Sequence, residues 1–101
     1  MKIAVNKCYG GFSVSKAVYD ELGLKWEGHG YMSNSILGIS DDNCMAYRTN
    51  KDFVAAIEKI GSANASGDCS RLIVVTIPND IVWEIYDYDG IETVREQHRS
   101  W

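Results

Sequence analysis

Lys7, Cys8, Tyr9, Gly10 and Gly11 stand together where the apolar run Ile3-Ala4-Val5 gives way to Phe12-Ser13-Val14. Adjacent glycines let backbone approach a ligand and adopt positive φ. A helix beginning just behind them would present free N–H groups carrying about half a positive charge, and Lys7 would add a full one. That combination suits a phosphate or a carboxylate. The run matches neither the GxGxxG fingerprint nor the GxxxxGK[ST] phosphate loop, so a plain tight turn is the competing reading. Cys8 offers a second chemistry, because a thiol beside a helix N-terminus and a lysine is an activated nucleophile. Its base would have to be His29 or His98, the two histidines of the chain. Neither spacing matches a protease signature, and a structural cysteine at a strand end is the alternative.

Arg48 precedes the clearest helical stretch. Its guanidinium can clamp a carboxylate or phosphate through two parallel hydrogen bonds; pairing with Asp52 or with a carboxylate on a strand is equally open. The tail His98-Arg99-Ser100-Trp101 ends in a large aromatic. Trp101 would dock on the core or on another subunit, with His98 and Arg99 lining a pocket beside Tyr9; simple anchoring of the terminus is the alternative. Tyr9, Trp26, Tyr31, Tyr47, Trp83, Tyr86, Tyr88 and Trp101 give the chain many flat rings on which bases stack, although core packing accounts for most of them. Lys7, Tyr9, Gly10, Gly11, Arg48, His98, Arg99 and Trp101 thus form the candidate site for a small anionic, nucleotide-like ligand. No catalytic constellation, metal-ligand set or cofactor motif is expected.

These residues must be positioned by a single domain, since the chain has 101 residues and no linker or repeat. One proline and 24% charged residues argue against general disorder. The net charge is -4, and the ten basic residues are scattered, which disfavours nucleic acid as a partner. Six acids (Asp80, Glu84, Asp87, Asp89, Glu92 and Glu96) gather in the last third. They form either a surface for a basic protein or a solvated face. Cys8, Cys44 and Cys69 are odd in number and widely spaced, as expected of free thiols in a reducing cytoplasm. No apolar run approaches the length of a membrane span or signal peptide.

Alternation of Ile3 and Val5 with Ala4 and Asn6 predicts a strand over 2–8. Ser13 is the expected N-cap of a helix over 14–22 that stops at Gly23. Residues 24–47 are rich in turn formers, with short strands expected near 31–39 and 44–47. Thr49 opens a helix to Gly61 with Phe53, Ala56, Ile57 and Ile60 as its apolar stripe. Residues 62–68 read as a flexible loop, and Leu72–Ile77 as a central strand buried on both faces. Asp89-Gly90 is the strongest hairpin signal, joining 82–88 to a segment over 91–97 that could be strand or short helix. The sum predicts an α+β domain: one mixed, mostly antiparallel sheet with about two helices packed on it.

The segments KIAVNKCYGGFSVS, RTNKDFVAAIEKIG, VVTIPND and YDGIETVREQHRSW resemble a family of small proteins common in tailed phages and their prophages. The likeness covers most of the chain, is specific at the two ends and loose over 24–46, and carries over no catalytic residues. It implies a phage-encoded accessory protein of the bacterial cytoplasm. Proteins of that setting often counter host defence, by sequestering nucleotide signals or by blocking host enzymes through contact, which is an argument by analogy. Three functions follow as expectations. The first is binding of the anionic ligand without turnover. The second is contact inhibition of a host protein through the acidic last third. The third is a small Cys8-dependent enzyme. A homo-oligomer is expected from the surplus of aromatics.

Overall fold

The computed structural model describes residues 1–96 and, for Arg99 and Ser100, the backbone. The elements in order are β1 (Lys2–Asn6), α1 (Lys16–Glu21), α2 (Asn34–Leu37), a 3-10 turn (Ala46–Thr49), α3 (Lys51–Ile60), α4 (Ser62–Ala65), β2 (Leu72–Thr76), β3 (Trp83–Tyr88), β4 (Ile91–Glu96) and β5 (Arg99–Ser100). The α+β class is as expected. The strands, however, divide between two antiparallel sheets, β1-β2 and β3-β4-β5, where the sequence predicts one.

Two apolar clusters stack these parts in layers. Ala4, Leu72 and Val74 of the first sheet pack against Val18 and Tyr19 of α1, Phe53, Ala56 and Ile57 of α3, and Ala65 of α4. On the other face, Ile3, Val5, Ile73 and Val75 meet Val94, Trp83 and Ile85 of the second sheet. The period-2 alternation of β1 is therefore what separates the layers: odd residues face the hairpin and even ones face the helices. Burying a side chain such as Phe53 or Ile57 contributes about 1.5–3 kcal/mol, and both are essentially inaccessible.

Several boundaries differ from the sequence expectation. Helix α1 begins at Lys16 with Ser15 as N-cap, because Val14 is first held in a β-bridge to Ser66. Residues 31–47 form no strands. Ser33 caps α2 by accepting from the Ile36 amide, and Gly38 ends it in the left-handed region. The Asn34 side chain then ties this turn to Asn43 O and the Tyr47 amide. Asn50, not Thr49, caps α3, accepting from the Phe53 amide at 3.0 Å. The segment read as a flexible loop contains α4, anchored by buried Ala65 and by the Ser62 hydroxyl donating to Leu72 O. Strand β2 packs against both clusters, but only Leu72 is buried, Ile73–Val75 are half-buried and Thr76 is exposed, and the strand pairs only with β1 rather than lying centrally. Residues Ile91–Glu96 are strand: Asp89 (φ 50°) and Gly90 (φ 93°) make the left-handed pair that a two-residue hairpin turn requires. No described helix is long and apolar enough to cross a membrane.

Candidate functional site

The site grows from the outer edge of β1. The Lys7 amide donates to Arg71 O and the Ile77 amide to Met1 O, so Met1 and Lys7 turn their polar backbone toward β2. The alternation of an antiparallel ladder then turns the Ala4 carbonyl and the Asn6 amide the other way. No described strand pairs there. Side chains serve instead. Arg48 Nη1 donates to Ala4 O at 3.2 Å, and the Asn6 amide donates to Glu92 Oε1 at 2.8 Å. Arg48 and Glu92 bind each other through two bonds, Nη1 to Oε1 at 2.6 Å and Nη2 to Oε2 at 2.9 Å. Their exposures are 2% and 3%.

Arg48 is thus the two-pronged clamp its chemistry allows, and its carboxylate comes from a strand rather than from Asp52. The 3-10 turn carries the arginine, β4 carries the glutamate, and the pair joins both to β1. The guanidinium lies over the Phe12 ring at 3.5 Å and beside Tyr47 at 5.1 Å. Cation–π attraction offsets part of the cost of removing the charge from water. Its Nε is buried without a hydrogen-bond partner among the described residues, as is that of Arg95.

Lys7 reaches the same residue. Its ammonium donates to Glu92 O at 2.6 Å. The glycine pair is also in contact with the hairpin, for the Gly10 amide donates to Asp89 O at 3.3 Å. A Cβ on Gly90 would collide with the backbone nitrogens of Gly10 and Gly11, and one on Gly10 would lie 2.6 Å from Cys69 O. Close approach of backbone to backbone explains Gly10 and Gly90, whereas Gly11 has open space around it and a φ of 93°. Helix α1 does not start directly behind them, and its leading Ser15 amide donates to Ala65 O.

Asn6, absent from the sequence-derived site, is the hub of this corner. Fully buried, it donates from Nδ2 to Cys8 O at 2.7 Å and Gly90 O at 2.6 Å. Its Oδ1 accepts from the Arg71 amide at 2.8 Å and the Cys8 amide at 3.2 Å. Glu92 was legible only as one of six acids. The signal that singles out both is position: each is a polar residue on a strand face otherwise facing the core.

Tyr9 is exposed. Cys8 is half-buried, its thiol donating to Tyr9 O at 3.6 Å, while His29 stacks on Tyr31 with centroids 4.6 Å apart. His98 and Trp101 lie outside the described residues, and Arg99 is described by its backbone alone. The structure therefore brings Lys7, Arg48, Gly10 and Gly11 together around Glu92 and Gly90. A cleft of about 480 Å³ opens elsewhere, between the loops carrying Ser13, Trp26, His29, Gly67, Asp68 and Cys69.

Glu84, Tyr86 and Tyr88 point from β3 to solvent on one face, and Asp87 and Asp89 are also exposed. Arg95, opposite Glu84 in register, lays its guanidinium over the Tyr86 ring at 3.8 Å. Glu84, Asp87 and Asp89 have no ion-pair partner among the described residues, whereas Lys2, Lys16, Lys59 and Arg48 all do.

Compared with family models, with curated proteins and with solved structures, the chain finds no match.

Proposed function

We propose that this chain is a non-enzymatic contact protein that binds a basic protein surface through its acidic, tyrosine-bearing β3–β4 hairpin. In the phage setting implied by the sequence resemblance, that partner is a host factor. One observation carries the reading: Arg48 and Lys7 are engaged inside the molecule by Glu92, while Glu84, Asp87 and Asp89 are exposed with no ion-pair partner among the described residues. An anionic ligand at Lys7 and Arg48 would have to displace Glu92 from a bidentate clamp whose loss leaves a buried charge uncompensated. A carboxylate-rich patch beside aromatic rings, by contrast, suits lysine and arginine side chains.

The test is capture from bacterial lysate with the wild-type chain and with Glu84→Lys/Asp87→Lys/Asp89→Lys, followed by sizing of the complex. A stoichiometric partner held by the first and lost by the second supports the reading. Equal recovery by both sinks it. Calorimetry against cyclic nucleotides and ADP-ribose derivatives is the counter-test, since micromolar heat that vanishes in Lys7→Ala would favour the anionic ligand instead.

A further inference from the structure

We infer that the free edge of β3 accepts an extended, lysine- or arginine-bearing segment of a partner protein as an added strand. This rests on the contact reading above and specifies its mode. The geometry follows from the turn. Tyr88 and Ile91 flank a two-residue loop, so they form a hydrogen-bonded pair, as do Tyr86–Thr93 and Glu84–Arg95 two and four residues on. The intervening Trp83, Ile85 and Asp87 therefore turn their N–H and C=O groups away from β4. Beyond that edge lies no described strand or helix, and no backbone bond of these three residues outside the hairpin is found among the described residues.

The contrast with β1 is informative. There, the Ala4 carbonyl and Asn6 amide are closed off by Arg48 and Glu92. The fold plugs one edge with a buried ion pair and leaves the other open. An open edge invites pairing, and charge decides with what. A second copy laid antiparallel on β3 would bring two sets of Glu84, Asp87 and Asp89 into one another's neighbourhood, and like charges repel. A segment with basic residues at alternate positions meets Glu84 and the faces of Tyr86 and Tyr88 instead. Arg95 already demonstrates that chemistry within the chain, holding its guanidinium 3.8 Å from the Tyr86 ring centre.

The probe is a blocked heptapeptide of alternating lysine and valine, added to the full ¹⁵N-labelled chain. Amide exchange at Trp83, Ile85 and Asp87 is expected to slow by about tenfold or more at saturation. A glutamate–valine peptide, and a lysine–valine peptide N-methylated on its pairing edge, should leave it unchanged. Binding of the lysine peptide without slowing at those three amides overturns strand addition while leaving the contact reading intact. So does equal binding of the N-methylated peptide, or no binding at millimolar peptide; in the last case the lysate capture still decides the contact reading on its own. Concentration-dependent slowing of the same amides without peptide overturns the inference in favour of a second copy.

Discussion

Replacing Arg48 and Glu92 together tests whether the buried pair exists to close the edge of β1. Removing one partner alone is expected to be severe: Glu92→Gln strands a cation that is 2% exposed, at a cost of about 3–5 kcal/mol. That is a large part of the roughly 5–15 kcal/mol that holds a domain folded. The informative variant is Arg48→Met/Glu92→Leu. Apolar replacement of a buried ion pair is often neutral or stabilising by about 1–4 kcal/mol. Here the Ala4 carbonyl and the Asn6 amide would both lose their partners, at about 1–3 kcal/mol each. The double variant is therefore expected to be about 2–6 kcal/mol less stable than wild type before any gain from the new apolar contacts. Urea unfolding followed by far-ultraviolet circular dichroism reads this as a lower midpoint at unchanged slope. A double variant more stable than wild type by over about 2 kcal/mol, beyond what about 4 kcal/mol of apolar gain less about 2 of lost partners allows, would refute the reasoning, for the edge would then need no polar partner.

Three further outcomes are expected. Asn6→Ala removes four hydrogen bonds from a fully buried position and should lose about 3 kcal/mol or more in the same urea assay; a loss below about 1 kcal/mol would show that water replaces the side chain. Gly90→Ala combines a φ of 93° with a backbone collision, whereas Gly23→Ala has a φ of 70° and open space around it, so the first should lower the melting temperature clearly more than the second; equal shifts would count against the packed corner. Burial, and secondarily the charge of Glu27, raises the Tyr19 hydroxyl above the ordinary tyrosine value of 10.0. The folded state therefore holds that proton longer than the unfolded chain. The resulting stabilisation is complete below pH 10 and is lost as pH rises through the folded value. Tyr19→Phe should flatten that alkaline decline, and an unchanged decline would place its origin elsewhere.

The parts of the fold set by local pattern were legible in the sequence. The alternation of Ile3 and Val5 with Ala4, the Phe53–Ile57 stripe and the Asp89-Gly90 turn each carry their structure within a few residues. What failed was set by side-chain-to-backbone bonds over longer range. Asn34 holds Asn43 and Tyr47 in place, and turns replace the strands expected there. Ser62 reaches Leu72, and a presumed loop coils. The division into two sheets was hidden for the same reason: the edge of β1 looks pairable in sequence, and it is closed by Arg48 and by Glu92, the latter 86 residues from Asn6. In the candidate site, the meeting of Lys7, the glycine pair and Arg48 at one corner was foreseeable from their chemistry. For Arg48 a carboxylate on a strand was one of the open readings, but which carboxylate was not legible, because Glu92 is indistinguishable by type from the five acids around it; Lys7 and Gly10 meet backbone carbonyls instead.

The bond from Asn6 to Glu92 also has a consequence for how the chain is made. At about 5–20 residues per second, a ribosome takes several seconds to reach position 92 after synthesising position 6. Until Leu72–Thr76 and Glu92 have emerged, the first strand lacks its neighbour and its complete plug, and its edge is a template for misassembly with other nascent chains. Stalled chains of increasing length should gain protease resistance over Lys2–Asn6 only once Glu92 has cleared the exit tunnel; resistance at shorter lengths would contradict this order. Strand β1, made before the residues that close it, is among the last parts of the fold to be safe.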